Sequence, residues 1–199
     1  MTGKVKAERV RVGVLISGRG SNMSALIAAA KAEDYPAEIA LVIANVPDAG
    51  GLEAARAEGV EVIAIDSRPF GKDRQAHEQA MDAALREAGV QVVCLAGFMR
   101  LLTPWFVDAW SGRMLNIHPS LLPDFKGLHT HARAIEAGTA EAGCTVHIVT
   151  ADLDDGPILG QARVPVLPGD TEDVLAARVL KEEHRLYPKC LAEFCRTLG

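Results

Sequence analysis

Short apolar runs alternate with longer amphipathic stretches in the first half of the chain. Four runs rich in Val, Ile and Leu have the length and composition of strands buried on both faces: 10–16, 39–44, 60–65 and 90–96. Three stretches between them are rich in the helix formers Ala, Glu, Arg and Met: 22–33, 51–58 and 72–88. This order predicts an α/β fold with a doubly wound, mostly parallel sheet and helices on both faces.

The pattern becomes less regular after Gly97. It predicts short helices over 104–110 and 131–137, strands over 114–118, 145–150 and 158–166, an irregular stretch over 119–130 and a turn over 152–157. Thr171 is a suitable cap for the last helix, with two acidic residues in its first turn. We expect this helix to reach about Tyr187, where Pro188 interrupts it or opens a final short helix.

Composition and charge restrict the class of protein. The 199 residues are 49% hydrophobic and 24% charged, which is typical of a single globular domain over 1–199. The net charge of −5 disfavours a nucleic-acid partner. No apolar run approaches the ~18–20 residues of a membrane span, so no membrane partner is expected. The basic N-terminus lacks an export signal and the four cysteines lack C-x-x-C spacing, which indicates reduced thiols and a cytoplasmic protein.

A glycine-rich loop follows the first predicted strand. Residues 17–22 read Ser-Gly-Arg-Gly-Ser-Asn, and ligands of open α/β sheets bind beyond the carboxyl ends of the strands. Gly18 and Gly20 allow close backbone approach, and Ser21 or Asn22 can cap a helix whose free N–H groups attract an anion. A tight turn without a ligand is the alternative. Neither G-x-G-x-x-G nor a P-loop is present, so a phosphate monoester of a small molecule fits best.

An amide and an imidazole end a later strand. Asn116 and His118 share one face of that strand because side chains alternate with a period of two. The turn over 152–157 brings three carboxylates between two strands, and one of them can accept a hydrogen bond from an imidazole and favour its cation. A satisfied core histidine beside a solvated turn is the alternative. No H-E-x-x-H or thiolate set is present, so no metal is expected.

Five segments occur in an order that resembles a known family. They are SGRGSN at 17–22, LAGFMR at 95–100, NIHPSLLP at 116–123, GLHTH at 127–131 and DDGP at 154–157. Together they resemble the folate-dependent glycinamide ribonucleotide (GAR) formyltransferases of purine biosynthesis, from about Val12 to about Pro188. The resemblance implies the formyltransferase fold. It also implies a Rossmann-like, GAR-binding half over about 10–110 and a catalytic, folate-binding half over about 111–199.

The resemblance implies an enzyme with two small-molecule substrates and no metal, acting as a monomer or homodimer. It would transfer the formyl group of its co-substrate 10-formyltetrahydrofolate to the primary amine of GAR, giving formyl-GAR and tetrahydrofolate. Gly20, Ser21 and Asn22 would hold the ribose phosphate, and Glu183 would bind the ribose hydroxyls. Two further positions concern the proposed GAR site. Arg19 is in a variable position of the loop, and Leu180 is apolar at a position that is expected to frame the GAR site.

The folate-binding residues that the resemblance implies form two backbone segments and several side chains. The segments, which would frame the pterin, are Met99, Arg100, Leu101 and Leu102, and Thr150, Ala151, Asp152, Leu153 and Asp154. The side chains are Arg74 at the folate tail, Asn116, and the apolar walls Leu95, Leu101 and Val107.

Asn116, His118 and Asp154 would form the catalytic set. When the amine of GAR attacks the formyl carbon, negative charge develops on the formyl oxygen, where the Asn116 amide and a protonated His118 can donate. Asp154 would keep the imidazolium populated. The alternatives are a formyltetrahydrofolate deformylase, another 10-formyltetrahydrofolate-dependent formyltransferase such as that acting on methionyl-tRNA, and a non-catalytic anion-binding module.

Overall fold

A computed structural model of the chain describes residues 8–198; residues 1–7, which include most of the basic N-terminus, and residue 199 lie outside it. Its strands are β1 (Val10–Ile16), β2 (Ala37–Ala44), β3 (Val62–Ala64), β4 (Val92–Leu95), β5 (Met114–His118), β6 (Glu141–Ile148) and β7 (Ile158–Pro165). Its α-helices are α1 (Ser21–Ala30), α2 (Gly50–Ala57), α3 (Arg74–Glu87), α4 (Pro104–Ala109), α5 (Thr130–Glu136) and α6 (Glu172–Arg196). A short 3-10 helix spans Arg68–Phe70.

The seven strands form one sheet in the order β3-β2-β1-β4-β5-β6-β7. Strands β1 to β5 pair in parallel, whereas β6 and β7 are antiparallel, which confirms the mostly parallel, doubly wound architecture. The chain builds outward from β1 to β3 and then returns to the other side of β1 to place β4. The order therefore reverses between β1 and β4, and ligands of such sheets bind in the crevice beyond the carboxyl ends of the strands at that point.

Apolar side chains cover both faces of the sheet. Val14 and Ile16 belong to a core cluster on one face, whereas Leu15 between them belongs to the cluster on the other face. The first cluster includes buried residues of α1, α2 and α6: Met23, Leu26, Leu52, Val179 and Leu191. The second includes buried residues of α3, α4 and the α4 end: Met81, Leu85, Phe106 and Trp110. Because apolar side chains cover both faces of the sheet, we expect a polar site at the ends of the strands.

The last helix is longer than predicted. The prediction that Pro188 interrupts it or opens a separate short helix is wrong, because α6 continues through Pro188 to Arg196. Proline removes one helical N–H donor, but the face that follows remains apolar, with Leu191 and Cys195 buried. The Tyr35 hydroxyl also donates a hydrogen bond to the Pro188 carbonyl, at 2.7 Å. Burial of this face keeps the helix continuous.

The strand predicted over 145–150 is also placed wrongly, because β6 begins at Glu141 and ends at Ile148. Gly143 concealed the early start, since glycine has a low strand propensity. The structure needs glycine there: a Cβ atom on Gly143 would lie 2.0 Å from the Ala162 carbonyl oxygen of β7. The bounds of the other predicted strands and of the remaining helices shift by at most three residues.

Two further sequence expectations concern membrane spans and thiol chemistry. No helix within residues 8–198 combines the length and apolarity that a bilayer crossing requires. All four cysteines are buried free thiols. Burial raises the pKa of Cys144 to about 12, so this thiol is a packing residue and a poor nucleophile.

Candidate active site

Ser17 joins the two loops that meet at the reversal of strand order. Its backbone N–H donates to the Gly97 carbonyl at 3.1 Å. Its hydroxyl accepts a hydrogen bond from the Met99 N–H at 2.8 Å and donates to Asn45 Oδ1 at 2.5 Å. The glycine-rich loop after β1 and the segment after β4 therefore share one side chain across the crevice.

The glycine-rich loop ends at the first turn of α1. Gly20 has a φ of +68°, and a Cβ atom there would lie 3.1 Å from Met23 Cε, so the turn requires glycine. The expectation that Ser21 or Asn22 caps this helix is wrong, because Gly20 occupies the cap position and no side chain of the described chain caps α1. First-turn N–H groups that have no side-chain partner can bind an anion.

Asn22 instead reaches the far end of the chain. Its Nδ2 atom donates to Glu183 Oε2 at 2.6 Å, and the two residues are only 9% and 7% exposed. Burial raises the pKa of Glu183, with the hydrogen bond from Asn22 acting in the opposite direction. The Asn22 Oδ1 atom is buried without a hydrogen-bond partner among the described residues. The fold thus brings the glycine-rich loop and Glu183 together, as the resemblance implies.

His118 and Asp154 meet beneath the same crevice. His118 ends β5, and Asp154 lies in the loop between β6 and β7 with a φ of +49°. His118 Nδ1 is 3.4 Å from Asp154 Oδ2, and both side chains are 8% exposed. His118 Nε2 is 3.0 Å from the Phe125 carbonyl oxygen. Because a carbonyl only accepts, Nε2 carries a proton, and Nδ1 faces the carboxylate.

His147 is the site residue that the sequence did not reveal. Its Nε2 atom is 3.1 Å from Asn116 Nδ2 and 3.7 Å from Asp154 Oδ1, and its Nδ1 atom is 3.1 Å from the Ile148 carbonyl oxygen. Burial lowers the pKa of His147, so the ring is neutral, with its proton on Nδ1. Nε2 then accepts from Asn116, which directs the amide nitrogen inward and leaves its second N–H free. Only the direct pairing of Asn116 with His147 between β5 and β6 signals this contact.

The predicted folate segment after β4 is held by polar contacts while its apolar side chains stay exposed. Arg74 Nη1 donates to the Leu101 carbonyl at 3.2 Å, and buried Glu78 accepts from the Thr103 N–H at 2.8 Å. Met99 and Leu101 are 68% and 64% exposed. Of the other predicted contacts, Leu95 and Val107 are buried in the core with Leu102 packed against them, and Arg100 is half-buried.

The second predicted folate segment is an exposed loop with one inward residue. Ala151, Asp152 and Leu153 are exposed, and Thr150 Oγ1 donates to the Asp152 carbonyl at 3.3 Å. Asp154 alone turns its side chain into the protein. Leu128 and Leu153 expose 66% and 55% of their surface. Exposed apolar side chains around a polar centre are typical of a ligand groove.

The remaining candidate positions lie around this centre. Arg19 is exposed and Leu180 is half-buried. The His131 Nδ1 atom is buried without a partner in the described part of the chain, and burial lowers the pKa of this ring. Within residues 8–198, no three His, Cys, Asp or Glu side chains are grouped so that they could hold a metal ion.

Known proteins resemble this chain over nearly its whole length. The family described as formyl transferase matches residues 10–191. The phosphoribosylglycinamide formyltransferase of Escherichia coli (strain K12) is 45% identical over 93% of this chain and 87% of that protein. The crystal structure of phosphoribosylglycinamide formyltransferase from Brucella melitensis superposes with a TM-score of 0.90, at 55% identity, over 94% of this chain and 96% of that one.

A second kind of relative is much longer than this chain. The trifunctional purine biosynthetic protein adenosine-3 of Gallus gallus is 46% identical over 95% of this chain, but over only 19% of its own length. The chain thus spans about a fifth or less of these trifunctional relatives.

Proposed function

This chain belongs to the formyl transferase family, and we propose that in purine biosynthesis it transfers the formyl group of 10-formyltetrahydrofolate to the primary amine of GAR. The products are formyl-GAR and tetrahydrofolate. The proposal includes small-molecule partners only, action in the cytoplasm, and a monomer or homodimer. It assigns the GAR phosphate to the half over about 10–110 and the folate and the chemistry to the half over about 111–199.

The observation that carries the proposal is the contact between His118 and Asp154. The proposal assigns the cationic form to this ring, whose Nδ1 atom is 3.4 Å from a carboxylate and whose Nε2 atom donates to a carbonyl. The Asn116 amide, directed by His147, adds a second N–H donor on the same strand. Two preorganised donors in a nearly buried site are suited to stabilise an oxyanion.

In the proposed mechanism the amine of GAR attacks the formyl carbon, and the carbonyl π electrons move to the formyl oxygen. The Asn116 Nδ2–H and His118 Nδ1–H groups donate to that oxygen more strongly as its charge develops, which lowers the barrier. The 3.4 Å separation between His118 Nδ1 and Asp154 Oδ2 is long for a strong hydrogen bond, which leaves the Nδ1–H group available to a substrate oxygen. The amine then loses a proton, N10 of the folate gains one, and the bond between N10 and the formyl carbon breaks.

The proposed GAR contacts use the glycine-rich loop. The N–H groups of Ser21 and Asn22 open α1 behind Gly20, without a side-chain cap, and suit a phosphate dianion. Asn22 holds Glu183 at 2.6 Å beside this turn, where the carboxyl group can accept hydrogen bonds from ribose hydroxyls. The partnerless Asn22 Oδ1 atom offers a further acceptor.

Family membership implies a folate-type formyl donor, and the groove residues fit such a ligand. The proposal assigns the pterin to the backbone of 99–102 and 150–154, because a planar pterin needs hydrogen-bonding backbone edges with apolar cover. Met99, Leu101 and Leu153 supply exposed apolar surface there. Arg74, already on the Leu101 carbonyl, can pair with a carboxylate of the folate tail.

The test is a spectrophotometric assay of the purified chain with GAR and a 10-formyl folate. The proposal expects folate deformylation only when GAR is present, with one formyl-GAR formed per tetrahydrofolate. Formate release that is independent of GAR identifies a deformylase instead. Binding of inorganic phosphate without any binding of a folate analogue, measured by calorimetry, identifies a non-catalytic anion module.

A further inference from the structure

The segment between β5 and α5 carries backbone strain close to the catalytic residues. Phe125 and His129 have φ values of +53° and +57°, which are left-handed conformations that side chains other than glycine disfavour. Such conformations persist only where the surrounding structure holds them. The residues that hold this segment in place therefore also affect the orientation of the side chains that the segment contacts.

The segment forms hydrogen bonds with both His118 and Asp154. The Phe125 carbonyl accepts from His118 Nε2 at 3.0 Å, and the Gly127 N–H donates to Asp154 Oδ2 at 2.9 Å. Lys126 between them pairs with Asp155, next to Asp154. One short stretch of backbone thus orients the imidazole from one side and the carboxylate from the other.

Arg133 of α5 holds this stretch by its main chain. Its Nη1 atom donates to the Lys126 carbonyl at 2.7 Å and to the Leu128 carbonyl at 3.3 Å. Its guanidinium carbon lies 5.4 Å from the centroid of the Phe125 ring, a cation–π distance. The two carbonyls flank Gly127, so the guanidinium brackets the peptide whose N–H meets Asp154.

We propose that Arg133 is a positioning residue for catalysis, which fixes the Phe125 carbonyl and the Gly127 amide so that His118 and Asp154 face each other in the productive orientation. The inference rests on the proposed function. Within residues 8–198, no hydrogen bond or ion pair joins Arg133 to the His118 or Asp154 side chain, and the proposed effect passes through residues 125–128. A planar guanidinium suits this role better than an ammonium, because it can donate in its plane while its face covers an aromatic ring.

The chain contains a matched control in Arg9. Its guanidinium also donates to backbone carbonyls, those of Tyr35 at 3.0 Å and of Ala30 at the end of α1. These carbonyls lie at the end of α1 opposite the glycine-rich loop. Removal of Arg9 tests the loss of an arginine that holds backbone but not the catalytic pair.

The experiment compares Arg133→Ala, Arg133→Lys and Arg9→Ala with the unmodified chain in kcat, KM for both substrates and Tm. For Arg133→Ala we expect kcat to fall about 10- to 100-fold, the scale of a small misplacement of catalytic groups, with KM for GAR unchanged. Arg133→Lys should recover part of kcat because it keeps the charge and one donor. Arg9→Ala should lower Tm and leave kcat unchanged.

A second measurement, independent of turnover, is hydrogen exchange at the Gly127 amide. It should quicken in Arg133→Ala and stay slow in Arg9→Ala. An unchanged kcat together with slow Gly127 exchange in a folded Arg133 variant overturns the inference. An equal loss of kcat in Arg9→Ala does so too, because it reveals a general stability effect. If Arg133→Ala does not fold, Arg133→Lys decides by the same two readouts. Failure of the unmodified chain to transfer a formyl group refutes the proposed function. Hydrogen exchange at Gly127 still tests whether Arg133 holds the backbone of residues 125–128.

Discussion

Asp154 Oδ2 lies 3.4 Å from His118 Nδ1, and the same oxygen accepts a hydrogen bond from the Gly127 N–H at 2.9 Å. The other carboxylate oxygen faces His147 Nε2 at 3.7 Å. Two imidazole rings and a backbone amide thus surround one buried carboxylate, and a charge buried away from water requires a partner. Burial lowers the pKa of His147, so the proposed mechanism assigns the cationic role to the His118 ring, which lies nearer to that carboxylate.

Replacing Asp154 with asparagine should therefore remove most of the catalysis. An amide keeps the shape but not the charge that favours the His118 cation, so we expect Asp154→Asn to lower kcat by about 10²–10⁴-fold. KM for GAR should change little, because the glycine-rich loop is untouched. Asp155→Asn, which alters only the pair with Lys126, is the control. Full activity of Asp154→Asn removes this carboxylate from the mechanism.

Asn116 and His147 should behave as one unit. Asn116→Ala should cost roughly 10²–10³ in kcat, the scale of one oxyanion donor. His147→Phe keeps a ring of similar size but loses the acceptor for the amide, so its loss should be smaller. In the double variant the second change should add almost nothing, because the donor is already gone. If the two losses instead multiply, as steady-state kinetics would reveal, His147 acts independently of Asn116.

The first residue of α1 should affect one substrate only. Ser21→Ala removes a hydroxyl at the proposed phosphate position, and loss of a hydrogen bond to a charged group should raise KM for GAR by about 10-fold or more. Binding of a folate analogue, measured by calorimetry, should be unchanged. Ser24→Ala, exposed one turn later on the same helix, should leave both constants as they were. Weakened folate binding in Ser21→Ala would contradict this division of the site.

Glu183 should make stability depend on pH in an unusual direction for a carboxyl group. Burial raises its pKa above the ordinary 4.5. Between 4.5 and the raised pKa, the folded state therefore holds a proton that the unfolded chain has lost. The free energy of unfolding therefore falls as pH rises through this window. Glu183→Gln cannot titrate and should lose that slope, whereas exposed Glu193→Gln should retain it. Urea unfolding of each variant between about pH 4 and pH 7 measures the difference.

The sequence is most informative where local chemistry decides the structure. Alternating apolar runs predict the parallel sheet, and the loops that follow β1, β4 and β5 are visible as Gly- and Pro-containing breaks after them. The period of two correctly pairs Asn116 with His118 on one face. The resemblance then selects Asp154 among three turn carboxylates, and the structure places it beside His118.

Contacts between distant parts of the chain are harder to predict. His147 reaches the site only through the register of β5 with β6, which no local pattern specifies. Helix α6 passes Pro188 because tertiary burial of Leu191 and Cys195 outweighs one missing backbone hydrogen bond. The strained turn at Phe125 is likewise contacted by Arg133, a partner supplied by the next helix.

The Ser17 hydroxyl, in the glycine-rich loop, accepts a hydrogen bond from the Met99 N–H of the segment after β4 and donates one to Asn45. Under the proposed function, a change that moves this oxygen would therefore disturb the acceptor and donor pockets together. Laboratory evolution toward a different amine must either keep this one oxygen in place or rebuild both loops in the same step. An inhibitor that displaces Met99 from this hydroxyl would likewise disturb the glycine-rich loop without contacting it.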